Sequence, residues 1–381
     1  MNYPLFKVHI DKEQALKNLD EVLSSGFFNE GSQVLEFQEK LSDFFSHPNT
    51  LALNSCTAAI TLALRLSGVN PGDEVITTSM TCVASNMPIC NLSAKPVWAD
   101  IDKNTGNINP KEIAKLITKK TKAVLCVNWA GLPCELEELQ DICSNNNIKL
   151  IQDAAHSLGA LYDNKHICHF ADFTCYSFQA IKHATCGDGG ALVCKNTDDF
   201  EQAKKLKWFG IDREASKNEC GEWKGQRWDT DIADTGYKFY MNNIAAAIGL
   251  SQVPHLESII AAHRQNALIY QDQFKENELV TPLTINKSSN PSHWVYSVLV
   301  DPKINRNNVL EKLNKIGIKA ATVHIPNHFY SCFKDSFTEL PETEYFGNHQ
   351  LALPCGWWMT EQDVYQVVSE FQKVINEQEP D

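Results

Sequence analysis

From about residue 50 to residue 193, short apolar runs alternate with longer stretches of helical character. The apolar runs predict β-strands at residues 50–53, 74–78, 95–99, 122–127, 148–152 and 173–178. The stretches between them predict helices at residues 56–67, 82–92 and 135–144, and one that starts at Pro110. Because strands and helices alternate, the pattern predicts an α/β fold with a mostly parallel sheet and helices on both faces.

The pattern changes after residue 253. Helical stretches at 261–273, near 306–316 and at 360–375 enclose a strand-like run at 294–300 and a further run at 322–326. We therefore predict two domains: an N-terminal arm with a large domain over residues 1–253, and a smaller α+β domain over 254–381. The polar segment 213–234 is predicted to be a long loop, and loops of that length are often functional.

Polar side chains follow several of the predicted strands. In parallel sheets, ligands bind beyond the carboxyl ends of the strands. Residues 54–57, 78–81, 128–129 and Asp153 all lie at such ends. We expect these segments to meet at one crevice, although they are far apart in sequence.

Composition narrows the possible partners and the compartment. A net charge of −13 argues against a general nucleic-acid or acidic-membrane binder. No run of about eighteen apolar residues predicts a membrane span, and the N-terminus does not have the pattern of a secretory signal. Thirteen scattered cysteines without a CxxC pair favour reduced thiols, and hence a cytoplasmic protein.

Lys182 and Asp153 together indicate one cofactor. Lys182 lies in an apolar setting before a glycine-rich turn, and Asp153 ends a strand-like run. Pyridoxal phosphate (PLP) bonds to a lysine amine, and its ring nitrogen needs an acidic partner because the protonated ring is the electron sink. Ser177, five residues before Lys182, offers a hydroxyl to the phosphate. A surface lysine and a helix-capping aspartate are the structural alternatives.

Weaker signals surround this pair. His156 could contact the cofactor or be a core histidine, and the helix start at residues 55–58 could bind phosphate or be a simple cap. Residues 187–190 (GDGG) match neither a Walker loop nor a dinucleotide fingerprint, and we interpret them as a turn that permits close backbone approach near Lys182. His166, Cys168 and His169 lack a second cluster to complete a metal site, so no metal is predicted.

These motifs resemble the DegT/DnrJ-type sugar aminotransferases, PLP enzymes of the aspartate-aminotransferase fold (fold type I). The resemblance covers nearly the whole chain: SG at 25–26, GSQV at 31–34, EF at 36–37, NSCTAA at 54–59, PGDEVI at 71–76, DAAHSLGA at 153–160, the Lys182 motif, WFGIDR at 208–213, GYKFYMN at 236–242 and AAAIGL at 245–250. The run LPCGWWMT at 353–360 is similar to a subgroup that includes perosamine-synthase-like proteins.

The resemblance implies roles for the cofactor-binding residues. Lys182 would bond to the cofactor and carry the proton, Asp153 would pair with the ring nitrogen, and His156 would lie near the phenolic oxygen. The implied phosphate ligands are Thr57, Ala58, Ser177 and, from the neighbouring subunit, Lys238. The active unit would then be a homodimer with active sites shared across the interface.

The resemblance also implies a substrate region. His324 and His328 lie where the C-terminal domain of the family approaches the sugar. In the predicted loop, Arg213, Lys224 and Arg227 could neutralise a diphosphate, although a solvated charged loop explains them equally well.

Two comparisons with the family pattern bear on the chemistry. Where the family places an aromatic residue that stacks on the cofactor ring, this chain has Cys82, so stacking must come from elsewhere, for example from His156, or be replaced by a sulfur contact. Lys182 is retained, whereas dehydratases of the family have lost this lysine.

The resemblance therefore implies transfer of an amino group from L-glutamate to a nucleotide-linked keto-deoxy sugar, with a 4-keto-6-deoxy sugar favoured by the subgroup. The product would be an amino sugar for surface glycans. A PLP-dependent dehydratase and a non-catalytic regulatory protein are the alternatives.

Overall fold

The computed structural model describes residues 2–213 and 231–377. The strands are β1 (Thr50–Leu53), β2 (Glu74–Thr78), β3 (Lys95–Ala99), β4 (Thr121–Val127), β5 (Lys149–Asp153), β6 (Leu161–Tyr162), β7 (Lys165–His166), β8 (Phe173–Ser177), β9 (Gly190–Cys194), β10 (Val280–Pro282), β11 (Ser289–Asn290), β12 (Tyr296–Val300) and β13 (Gln350–Leu353). The α-helices are α1 (Lys12–Ser25), α2 (Ser32–Phe45), α3 (Cys56–Leu66), α4 (Val83–Asn91), α5 (Pro110–Leu116), α6 (Leu136–Asn145), α7 (Thr197–Leu206), α8 (Asn243–Gln252), α9 (Leu256–Phe274), α10 (Arg306–Lys315), α11 (Pro341–His349) and α12 (Glu361–Asn376).

A seven-stranded sheet in the order β1-β9-β8-β5-β4-β2-β3 forms the centre of the large domain. Strand β9 is antiparallel to both of its neighbours, and the remaining pairs are parallel. The predicted α/β fold with a mostly parallel sheet is therefore confirmed. Since β1, β2, β4, β5 and β8 run in the same direction, their carboxyl ends lie at one edge of the sheet, as the sequence predicted.

Burial explains why these strands are continuous apolar runs. Every residue of β1, β8 and β9 is buried, because helices cover both faces of the sheet. Helix α3 is likewise apolar around its circumference and is buried from Ala58 to Leu64. A helix of this kind belongs in the interior of a domain.

The smaller antiparallel sheet β10-β12-β13 packs with α9, α10 and α12 around a separate apolar core. The strand predicted from residue 294 begins only at Tyr296, because the backbone N–H of Trp294 donates to the carbonyl of Ala130 in the large domain. The run 322–326 forms no strand; His324 has a positive φ of 65° and Pro326 follows it. The proposed boundary after residue 253 stays a prediction, since only a 3-10 turn, Val253–His255, separates α8 from α9.

The helical stretch Asn243–Phe274 is long and apolar enough to cross a membrane by length and composition. It consists of α8, the 3-10 turn and α9, and its residues Ala246, Leu256, Ile260 and Tyr270 are buried in the protein core. The core packing of these side chains accounts for the apolar composition.

Candidate active site

Lys182 lies in the loop between β8 and β9, at the carboxyl edge of the sheet. Its backbone N–H donates to the carbonyl of Gln179, which forms a tight turn after Ser177. Its amine Nζ lies 3.8 Å from the centroid of the Trp294 ring. Burial lowers the pKa of the Lys182 amine to about 8, although the charge of the nearby Asp153 carboxylate opposes this shift. A large fraction of the amine is therefore neutral, and nucleophilic, slightly above neutral pH.

Asp153 ends β5, and its carboxylate is held by three donors. The Ser85 hydroxyl donates to Oδ2 over 2.6 Å, the backbone N–H of Ala155 donates to Oδ1 over 2.9 Å, and the Cys56 thiol lies 3.8 Å from Oδ1. Burial nevertheless raises the pKa of Asp153, because hydrogen bonds and the Lys182 charge only partly compensate for lost water. A cationic partner would stabilise this carboxylate further.

His156 lies in an aromatic group that includes Trp294 and His324. Its ring stacks on Trp294 at 4.0 Å and is nearly parallel to His324 at 5.4 Å, whereas Trp294 and His324 are 6.4 Å apart. These three distances form a near-right angle at His156, so His324 lies beside the His156 ring and not on its second face. Burial, followed by the charge of Lys182, lowers the pKa of His156 well below its usual range, so the ring is neutral.

The predicted phosphate ligands lie at the ends of neighbouring strands. Helix α3 begins after Ser55, whose side chain accepts from the backbone N–H of Ala58 over 3.1 Å, and Thr57 is in its first turn. Ser177 pairs with Gly190 in the β8-β9 ladder. A Cβ on Gly190 would lie only 2.3 Å from the carbonyl carbon of Ser55, so the absence of a side chain there brings β9 against the start of α3.

This contact bears on the interpretation of residues 187–190. A close backbone approach occurs between Gly190 and the start of α3, whose Cys56 is one of the groups near Lys182. Gly187 has a positive φ of 80° and makes the turn, and a Cβ on it would meet no heavy atom within 4 Å. Gly187 thus makes the predicted turn, and Gly190 allows β9 to approach the start of α3, where the phosphate is proposed to bind.

Lys238 lies in a short segment next to β1. Tyr240 bridges Leu53, and the Asn54 side chain donates to the carbonyl of Lys238 over 3.3 Å. The Lys238 side chain is exposed. It thus lies on the surface close to the start of α3, and its assignment to a neighbouring subunit stays a prediction.

Arg213 is engaged within its own chain. Its guanidinium lies 3.3 Å from Glu30 and 4.6 Å from the centroid of Trp208, and Lys207 pairs with the same Glu30 carboxylate. A role of Arg213 in neutralising a diphosphate stays a prediction. Lys224 and Arg227 lie outside the described residues.

The two C-terminal histidines have different surroundings. His324 joins the His156 group, and burial lowers its pKa to about 4. His328 is buried and bonds through Nδ1 to the Ser79 hydroxyl over 2.6 Å, with Nε2 3.6 Å from Glu344. His324 therefore lies beside the candidate site, whereas His328 joins the small domain to the loop after β2.

Comparison with known proteins identifies the family. The DegT/DnrJ/EryC1/StrS aminotransferase family matches residues 9–372. The chain belongs to this family. It is 35% identical to the uncharacterized protein MJ1066 of Methanocaldococcus jannaschii, with 98% of each chain covered.

Two further relatives have informative names. The spore coat polysaccharide biosynthesis protein SpsC of Bacillus subtilis is 31% identical, over 96% of this chain and 95% of the relative. The UDP-4-amino-4,6-dideoxy-N-acetyl-beta-L-altrosamine transaminase of Helicobacter pylori is 32% identical, over 91% and 90%. The chain is thus related over its length to sugar-nucleotide transaminases.

Solved structures described as sugar aminotransferases have the same fold. The sugar aminotransferase CalS13 from Micromonospora echinospora superposes with a TM-score of 0.90 at 29% identity, covering 97% of this chain and 99% of that chain. The putative sugar aminotransferase Spr1654 from Streptococcus pneumoniae, in its PLP form, gives 0.89 at 26% identity, covering 99% of both. The predicted fold type I architecture is therefore confirmed.

PLP is the cofactor of the DegT/DnrJ/EryC1/StrS family, and the residues present here fit it. Asp153 is a buried carboxylate that lacks a direct cationic partner among the described residues, and a protonated ring nitrogen would supply one. The His156 Nδ1 and His324 Nε2 atoms are buried without a hydrogen-bond partner among the described residues. Cys82, at the start of α4, is half-buried.

Two residues of the site were not predicted from the sequence. Ser85, in the first turn of α4, follows the polar run at 78–81, and a serine three residues after Cys82 was a weak signal for it. No sequence pattern indicated Trp294, because it lies in the predicted small domain and reaches Lys182 only through the tertiary fold.

Proposed function

We propose that this protein is a PLP-dependent aminotransferase that transfers an amino group from L-glutamate to a nucleotide-linked keto-deoxy sugar. The observation that carries the proposal is the pairing of a buried carboxylate, Asp153, with a partly neutral lysine, Lys182, at the carboxyl edge of the sheet. Family membership indicates amino-group transfer. Lys182 and Asp153 provide the amine and the carboxylate that a PLP-dependent transfer requires.

When bound, the cofactor supplies an electron sink that stabilises negative charge on the carbon beside the transferred nitrogen. Asp153 would keep the ring nitrogen protonated, and Ser85 would hold Asp153 ionised. Lys182 would bond to the cofactor at rest and otherwise move the proton, for which a pKa of about 8 is well matched. Thr57, Ala58 and Ser177 would bind the phosphate, and neutral His156 would lie against the ring.

The proposed acceptor is a 4-keto-6-deoxy sugar, and the product an amino sugar for a surface glycan. The name of the Helicobacter pylori relative, which specifies a 4-amino-4,6-dideoxy sugar, supports this position. The resemblance of residues 353–360 to perosamine-synthase-like proteins supports it as well. The name of the Bacillus subtilis relative supports a role in polysaccharide biosynthesis.

We further propose a homodimer in which Lys238 reaches the phosphate of the neighbouring subunit. Leu16 and Leu23, seven residues apart on α1, and Leu35 on α2 are exposed apolar side chains that a second copy could cover. Cytoplasmic localisation is proposed on the twelve cysteines of the described residues, which form no disulfide.

The absorption spectrum of the purified protein, before and after L-glutamate, tests the reaction. We expect the band of lysine-bound cofactor to disappear with glutamate and to return when a nucleotide-linked 4-keto-6-deoxy sugar is added. Lys182→Ala should abolish both changes, whereas Lys195→Ala, at an exposed lysine, should not. A band that glutamate leaves unchanged would favour the dehydratase, and failure to bind PLP would favour the regulatory protein.

Mixed dimers test the shared site. If Lys238 serves the neighbouring subunit, a dimer of one Lys182→Ala and one Lys238→Ala chain retains one intact site. Random mixing of the two inactive variants should then restore about a quarter of wild-type activity. If mixing restores no activity, Lys238 does not contribute to the active site of the neighbouring subunit.

A further inference from the structure

Trp294 contacts the loop at Ile181 and Lys182 in two independent ways. Its indole N–H donates to the carbonyl of Ile181 over 2.7 Å, which fixes the peptide bond that precedes Lys182. Its ring lies 3.8 Å from the Lys182 amine. A cation over the face of tryptophan is attracted by the ring quadrupole, and this attraction is stronger where water is excluded.

Trp294 is itself held from several sides. Only 3% of it is exposed, and it stacks on His156 at 4.0 Å and on Phe6 of the N-terminal arm at 4.7 Å. Its backbone N–H donates to Ala130, in the loop after β4. A ring fixed in this way can define where a flexible lysine side chain rests.

The segment that carries Trp294 also binds the residue after Lys182. The His183 Nε2–H donates to the carbonyl of Ser292 over 3.1 Å. Lys182 thus lies between two hydrogen-bonded residues: the Ile181 carbonyl accepts from Trp294, and the His183 side chain donates to Ser292. A Cβ on Gly131 would lie 2.7 Å from the backbone nitrogen of His293, so this segment lies directly on the large domain.

We propose that Trp294 is a positioning residue for Lys182: its N–H fixes the lysine loop, and its ring holds the lysine ammonium whenever the amine is not bonded to cofactor. This inference rests on the proposed role of Lys182. In the proposed reaction Lys182 would be bonded to the cofactor at rest and would be a free amine while it moves the proton. A fixed aromatic face next to the bonding position would keep the released amine in place.

Several titratable groups surround the Lys182 amine and set its proton affinity together with Trp294. They are Asp153 at the end of β5, Cys56 on α3, Cys82 before α4, and the histidines His156, His183 and His324. The Asp153 carboxylate favours the ammonium, whereas the buried histidines are neutral. A substitution at Trp294 replaces none of these six groups, and although His156 loses its stacking partner, that ring is neutral, so the effect on Lys182 can be measured separately.

The test measures Lys182 in the full-length chain after removal of cofactor, so that it does not depend on transamination. Competitive acetylation over a pH series, with the Lys182 peptide quantified by mass spectrometry, gives the pH midpoint of the amine. The exposed Lys17 serves as internal reference. We expect Trp294→Leu to lower the midpoint of Lys182 by about one pH unit, a tenfold loss of proton affinity, because the ammonium loses its aromatic partner.

A second variant separates the ring from its N–H. Trp294→Phe keeps an aromatic face, so it should lower the midpoint of Lys182 by less than roughly half of the shift expected for Trp294→Leu. It should nevertheless slow the binding of cofactor to the apo-protein, because the Ile181 carbonyl loses its hydrogen bond. Trp98→Phe is the matched control, since Trp98 is equally buried but contacts Phe333 instead.

An unchanged or raised midpoint in a folded Trp294→Leu protein would overturn the proposal. So would an equal shift in Trp98→Phe, which would mark a general loss of packing. Because the midpoint is measured without cofactor, a protein that fails to transaminate but shows the expected shift would contradict the proposed function and leave the geometry of Trp294 and Lys182 supported.

Discussion

The hydroxyl of Ser85 donates a 2.6 Å hydrogen bond to Oδ2 of Asp153, across 68 residues of sequence. The same hydroxyl lies 2.8 Å from that of Thr81. Ser85 therefore connects the polar run after β2 to the carboxylate at the end of β5. This bond opposes the effect of burial, which raises the pKa of Asp153.

Ser85→Ala should weaken cofactor binding, because Asp153 loses a donor to its charged form and becomes easier to protonate. A hydrogen bond to a charged group contributes about 1.5–3 kcal/mol, so we expect the dissociation constant for PLP to rise at least about tenfold. Titration of the apo-protein with PLP measures it. Ser297→Ala is the control, since Ser297 is buried and its hydroxyl has no partner among the described residues. Equal affinities for the two variants would contradict the role of Ser85.

Gly190→Ala should destabilise the protein and impair phosphate binding. The new Cβ would lie 2.3 Å from the carbonyl carbon of Ser55 and 2.5 Å from the nitrogen of Cys56, and both are backbone atoms. Separating β9 from the start of α3 should cost about 3 kcal/mol. Chemical denaturation gives the free energy of unfolding. In Gly68→Ala, where no heavy atom lies within 4 Å of the new Cβ, only the positive φ of 74° is unfavourable, and we expect a loss of about 1 kcal/mol.

Glu30→Gln should be destabilising because two cations share its carboxylate. Lys207 is buried, and burial lowers its pKa while Glu30 raises it; Arg213 pairs with the second oxygen. Removing one partner of a buried ion pair typically costs about 3–5 kcal/mol. Glu201→Gln, which removes the exposed pair with Lys204, should cost less than about 1 kcal/mol. Denaturation gives the free energy of unfolding of both variants. A comparable loss in the two would show that the burial of Lys207 does not make its ion pair more important for stability.

Stability should fall as the pH is lowered from about 6.5 to about 4. Burial lowers the pKa of His263 to about 4, so the unfolded chain binds a proton in this range that the folded chain does not. The stabilisation is complete above the unfolded pKa near 6.5, and about 3 kcal/mol is lost by pH 4. Buried His324 and His293, with pKa values lowered to about 4 and about 3, add to the effect.

Melting temperatures between pH 7 and pH 4 measure this dependence. His263→Gln keeps a donor for the carbonyl of His293 and should flatten the curve, whereas His349→Gln, at a half-buried histidine on α11, should leave its slope unchanged. A slope that His263→Gln leaves unaltered would assign the acid sensitivity to other groups.

The sequence alone predicted six of the seven strands of the central sheet, its mostly parallel direction and the family motifs around Lys182 and Asp153, whereas the antiparallel strand β9 was not predicted. Strands β1, β2 and β3 have the predicted bounds, because each is a short apolar run with turn residues at its ends. Because β1, β5 and β8 run in the same direction, residues 54–57, Asp153 and Ser177 lie at one edge of the sheet.

Only the tertiary structure decided which side chains complete the site. The Trp294 indole meets the Ile181 carbonyl across 113 residues, and Ser85 meets Asp153 across 68. Gly190 approaches the start of α3, and Arg213 pairs with Glu30. Local sequence pattern reports whether a residue is apolar and in which element it lies. It does not report which distant element packs against that residue, because that depends on how the two domains and their connecting loops fit together.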